Sequence, residues 1–144
     1  MTYTCPLCEL QPSSHSLTKV LEKKGIIYYY TCPSQAILYY DTNGIINHYD
    51  GVLSDIKDKE WVWIFDSLDF GIVHAMQINV AIELAKLISN KFSNNLKKII
   101  IINPTFYIKI IHKMILPFLN NKVQDIIEIN YETDCVEEII KMIE

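Results

Sequence analysis

The stretch Trp61-Val62-Trp63-Ile64-Phe65-Asp66 decides the fold. Five consecutive apolar residues, all aromatic or β-branched, are too few for a helix and lack the alternation of a half-exposed strand. Such a run fits a strand covered on both faces, as strands of parallel sheets are. Ile99-Ile100-Ile101-Ile102, stopped by Asn103-Pro104, and Ile126 to Ile129 repeat the pattern. Longer amphipathic stretches separate them. Between His74 and Phe92 one stripe runs Met76, Val80, Leu84, Leu87 and Ile88, and a second runs Ile78, Ile82 and Ala85. An apolar arc that wide predicts a helix packed hard on the sheet. Thr105 to Leu119 and Asp134 to Ile143 are the next two helices. Strand and helix alternate from residue 60 onward, so the fold class is α/β with right-handed parallel crossovers.

Upstream of that stretch the expected elements are different. Leu17, Val20 and Leu21, followed by Gly25, predict a short glycine-capped helix over 17–24. Ile26 to Tyr30 reads as a strand. Asn43-Gly44, between the β-like runs 36–40 and 45–49, predicts a hairpin. These segments form the antiparallel beginning of the sheet in this reading.

Length and composition bound the function. A chain of 144 residues suits one domain. Half of it is hydrophobic and 21% charged, with only 4 Gly and 5 Pro, which excludes low-complexity and collagen-like classes. The net charge is -4, and all 13 basic residues are lysine. An acidic chain without the planar guanidinium fork is poorly equipped to read nucleic acid. No basic region followed by an apolar run opens the sequence, and no apolar run is long enough to span a bilayer. The expectation is a soluble, cytoplasmic protein with reduced thiols and no transmembrane segment.

Reduced cysteines at knuckle spacing point to metal. Cys5-Pro6-Leu7-Cys8 has the spacing of structural zinc sites, and Thr31-Cys32-Pro33 repeats the texture of Thr4-Cys5-Pro6. Cys5, Cys8 and Cys32 with His15 would complete a tetrahedral Cys₃His zinc site; His48 is the alternative fourth ligand. Zinc would contribute the folding free energy that a flap over 1–24, poor in large apolar residues, lacks. Inert thiols are the competing reading. Asp66, Asp69 and His74 stand where α/β sheets build sites, but turn and helix capping accounts for them. No glycine-rich phosphate loop and no nucleophile–base pair appears, so the expectation is a protein that is not an enzyme.

Three passages then stand in order: WVWIFDSLDFG (61–71), LISNKFSNNLKKIIIINPTF (87–106) and HKMILPFLNNKV (112–123). As an ordered set, over roughly residues 25–144, they resemble the CRAL-TRIO lipid-binding domain. The resemblance implies a mixed, mostly parallel sheet flanked by helices, with helices on one face and a mobile helix on the other. That helix, gating a slot for a hydrophobic ligand, maps to Thr105–Leu119. Its few polar residues, Lys109, His112 and Lys113, share one face and leave apolar area to spare. The surplus lines a slot, meets a partner, or sits in the core.

The expected ligand-enclosing residues are Phe106, Ile110, Met114 and Phe118 from the helix, with Trp63 and Phe65 from the sheet floor. Hiding ligand surface there contributes about 25 cal/mol per Å². The function expected is non-enzymatic binding of a lipid or other apolar small molecule. The alternative is an interaction module that keeps the fold without a slot and binds a protein partner or a second copy. The end of the chain at Glu144, short of the family's glycine-containing floor loop, favours that alternative.

Overall fold

The computed structural model describes residues 17–35 and 41–130. Strands β1 (Thr18–Lys23) and β2 (Ile26–Thr31) form an antiparallel hairpin turned by Lys24-Gly25, both at positive φ. Helix α1 (Thr42–Asp55) leads to β3 (Glu60–Asp66). Short helix α2 (Ile72–Ala75), helix α3 (Ile78–Leu87) and a wider π turn (Ile88–Phe92) lead to β4 (Leu96–Ile102). Helix α4 (Phe106–Ile115), a tight turn over Leu116–Phe118 and helix α5 (Asn121–Ile126) lead to β5 (Ile127–Ile129). The strand order is β1-β2-β3-β4-β5, and every pair after the first is parallel.

That order dictates where the helices go. Each parallel connection steps to the next strand in the same direction. Right-handed crossovers taken repeatedly in one direction place all their helices on one face. The register defines that face: Tyr29, Trp63, Ile99 and Ile127 form one row across the sheet, and Thr31, Phe65, Ile101 and Ile129 the next. Ile45, Tyr49 and Leu53 of α1, Val80 and Leu84 of α3, and Leu119 and Val123 pack on these rows. Ile108 and Ile111 of α4 join them beside Ile101 and Phe70. The opposite face presents Tyr28, Val62, Ile64, Ile100 and Ile102, and these are buried too. Burial on both faces is why 61–65 and 99–102, within β3 and β4, read as unbroken apolar runs.

The structure corrects four expectations. Residues 17–24 are not a helix: β1 pairs with β2, and the 17/20/21 spacing is equally met in an irregular strand, whose register shifts between Lys19 and Leu21. Asn43-Gly44 does not turn a hairpin, and 45–49 is not a strand. Asp41 accepts from the Gly44 amide at 3.2 Å and caps α1, whose buried Ile45, Tyr49 and Leu53 recur every fourth residue. The helix expected from His74 to Phe92 is broken at Met76-Gln77 into α2 and α3. The fourth concerns α4, which shares its sheet face with α1 and α3 instead of standing alone on the other. The run 36–40 and the helix expected at 134–143 lie outside the described residues.

The C-terminal edge of the sheet is tied by one carboxylate. Asp66 is buried and accepts from the Tyr30 hydroxyl at 2.5 Å, the Asn103 amide at 2.9 Å and the Leu68 backbone N–H at 3.0 Å. These contacts join the ends of β2, β3 and β4. Asn103 adopts a positive φ of 50°, a conformation Asn tolerates better than most residues. Burial, and then the bond to Asp66, push the Tyr30 phenol far up.

Helix α4 is fastened at both ends. Thr105 caps its start, accepting from the Ile108 N–H at 3.3 Å and donating to the Phe70 carbonyl at 2.7 Å. Pro117, which has no N–H, sits in the turn that follows it. Beyond that turn Asn120 caps α5 through the Val123 N–H at 2.8 Å. The same side chain donates to the Ser89 carbonyl at 2.9 Å and to the Ser93 hydroxyl at 3.2 Å, bridging the π turn. Replacing Asn120 with Ala removes a cap and two bridging bonds; a loss of about 1–2 kcal/mol in urea unfolding is expected.

A pH effect follows from Tyr29. Its phenol is pushed from 10 up to about 12 by burial, with the charges of Asp55 and Glu22 adding to it. The unfolded phenol ionises first, so stability present below pH 10 falls as pH rises towards 12. Tyr29→Phe is expected to make the fall in Tm over that window shallower, as read by circular dichroism.

Candidate functional site

Between α4 and the sheet lies an apolar cavity of about 80 Å³. Its floor is Trp63, Phe65, Ile99, Ile101 and Ile127, all from the helix-bearing face of the sheet. Ala81, Leu84, Ala85 and Ile88 form one wall, and Ile108, Ile111, His112 and Ile115 of α4 form the roof. Phe70, Leu119 and Val123 complete the lining.

Local chemistry fixes each surface. The Trp63 indole N–H donates to the Thr31 hydroxyl at 2.9 Å, and that hydroxyl lies 2.9 Å from the Tyr49 hydroxyl. The polar edge of Trp63 is thereby satisfied away from the cavity. Edge contacts at about 6 Å continue through Tyr49, Trp63 and Phe65 and on to Phe70, a row that stiffens the floor. The roof residues 108, 111, 112 and 115 fall at i, i+3, i+4 and i+7, one stripe of a helix. Three of the four are isoleucine. The fourth, His112, is half-buried, and burial lowers its pKa, which keeps the imidazole neutral at pH 7.

The structure brings together some of the residues expected to enclose a ligand and not others. Trp63 and Phe65 line the cavity. Phe106, Ile110, Met114 and Phe118 lie on the outward side of α4 and the turn after it, with Phe106 70% and Met114 51% exposed. The reason is His112. Grouping it with Lys109 and Lys113 as one solvated face turns the helix the wrong way; only the two lysines point out. On α4 the isoleucines that line the pocket are Ile108, Ile111 and Ile115, and their i, i+3, i+7 spacing is the sequence signal for that face. Exposed Leu68, Ile72, Val73 and Met76 lie in and around α2, which packs beside α4.

The other sequence candidates have structural settings. Cys5, Cys8 and His15 lie outside the described residues. Cys32 is fully buried after β2, with its sulfur 3.3 Å from the Ser34 hydroxyl. His48, the alternative ligand, is buried on α1 with Nε2 3.2 Å from the Leu17 carbonyl. Among the described residues no group of three or more His, Cys, Asp or Glu could hold a metal ion. Asp66 ties strand ends. His74 accepts the Gly71 N–H through Nδ1 at 3.2 Å and stacks on Phe70; burial lowers its pKa, against the pull of Asp69.

No described helix is long and apolar enough to cross a membrane. No curated protein is significantly similar to the chain in sequence. The model of the CRAL/TRIO domain matches residues 5–144. An apolar pocket between a parallel sheet and its helices is the feature expected of a fold whose members bind lipophilic small molecules, and with that match the chain belongs to the CRAL/TRIO domain family.

Proposed function

We propose that this protein binds an apolar small molecule, without chemical turnover, in the space between α4 and the sheet. The observation that carries the reading is the cavity lining: fifteen of its sixteen residues are apolar. A void of about 80 Å³ is roughly half the ~150 Å³ of an apolar cavity that takes up benzene. A lipid chain therefore needs α4 to move outward. The fastening of α4 suits that motion. Polar bonds hold it at Thr105 and near Asn120, while within the helix only Ile108 and Ile111 are buried.

The outward side of α4 suits contact with a bilayer that donates or receives the ligand. Phe106, Ile110 and Met114 stand exposed beside Lys109 and Lys113, and Lys86 lies 5.3 Å over the Phe118 ring. No Asp or Glu occurs between Glu83 and Asp125, and seven lysines fall in that span. Apolar residues edged by lysine favour an anionic lipid surface. The same stripe also supports the second reading, an interaction module whose exposed face meets another protein or a second copy.

Native mass spectrometry of protein purified from cells separates the two readings. An apolar adduct is expected on the wild type. It is expected to be lost in Ala85→Leu, which pushes three extra carbons into the void while keeping the wall apolar. Ligand-free dimers of both proteins would favour the interaction module. In flotation with vesicles containing phosphatidylserine, Phe106→Asp with Met114→Asp is expected to reduce binding at least severalfold. These positions are exposed, so thermal stability should change little.

A further inference from the structure

The inward stripe of α4 reads Ile108, Ile111, His112, Ile115, and its one polar member faces an otherwise apolar cavity. Among the described residues His112 has no hydrogen-bond partner. Its ring is only half-buried, so the imidazole keeps a polar edge for a ligand group that enters the pocket. The remaining lining offers nothing to bond it, because every other side chain there is hydrocarbon or a satisfied Trp63 indole. No lysine lines the cavity, and the chain has no arginine. A charged phosphate or carboxylate drawn inside would therefore meet no cation.

Resting on the proposed apolar-ligand function, we infer that His112 selects the ligand: a lipophile carrying one uncharged hydroxyl or carbonyl, which hydrogen-bonds the imidazole while its hydrocarbon fills the space over Trp63 and Phe65. A neutral imidazole offers both a donor and an acceptor, so it serves either group. Burial without a neighbouring carboxylate keeps it in that form. His112 is thus a specificity residue, and Ile108, Ile111 and Ile115 supply non-selective enclosure.

The test compares 1-hexanol, heptane and hexyl phosphate by calorimetry on wild type, His112→Phe and His112→Gln. The expected result is that His112→Phe weakens 1-hexanol about three- to tenfold and leaves heptane unchanged or tighter. His112→Gln should retain most hexanol affinity, and hexyl phosphate should bind more weakly than hexanol to the wild type. In ¹⁵N spectra of the wild type, hexanol should shift the His112 ring nitrogens and heptane should not, a readout that needs no variant. Equal effects of His112→Phe on hexanol and heptane, or hexyl phosphate binding as well as hexanol, would overturn the inference and leave the cavity reading standing. Failure of both hexanol and heptane to bind the wild type would overturn the cavity reading, and the inference with it.

Discussion

Repeated right-handed crossovers in one direction are the constraint on which the rest depends. Once β2, β3, β4 and β5 lie side by side in chain order, all the connecting helices must share one face. Four parallel strands and the helices α1, α3 and α4 then compete for the same surface. Large aromatic residues at the floor, Trp63 and Phe65, meet small ones at the wall, Ala81 and Ala85. Where α4 crosses this surface the fit is incomplete, and a void remains. Protein interiors are otherwise close-packed, so a void with this lining is a departure that demands a use or costs stability.

The polar contacts around the void have a consistent placement. Asp66 gathers the strand ends on the opposite face, Thr31 and Tyr49 hold the indole of Trp63 from the side, and Thr105 and Asn120 hold the ends of α4. None of these groups is among the lining residues. The floor is fixed by directional bonds and aromatic edges, whereas the middle of the roof is held by non-directional apolar contact. A wall so held can be displaced by a ligand that replaces the same contacts, with little change in polar bonding.

Much of this fold was legible in the sequence because burial on both faces leaves an unmistakable mark. The runs 61–65 and 99–102 lie in β3 and β4, the segment 126–129 covers β5 although Glu128 interrupts it, and the helix before Pro117 is where its spacing put it. The beginning of the sheet was less legible. Leu17, Val20 and Leu21 satisfy a helical spacing as well as an irregular strand, and only pairing with β2 decides. Asn43-Gly44 carries a strong turn signal, but Asp41 three residues before the Gly44 amide makes it the first turn of a helix. The cavity was half legible. Its floor followed from the strand runs, but its roof depended on one residue: placing His112 with the lysines rotated α4, and placing it with the isoleucines sets it right. Asn120 carried no signal of its own, because its role comes from the π turn it bridges, 31 residues earlier in the chain.

Xenon tests the central claim most directly, because it binds apolar voids without needing polar recognition. Crystals pressurised with xenon should show an atom enclosed by Trp63, Ala85, Ile108 and Ile111. Full-occupancy side chains filling that volume, with no xenon between α4 and the sheet, would contradict the account.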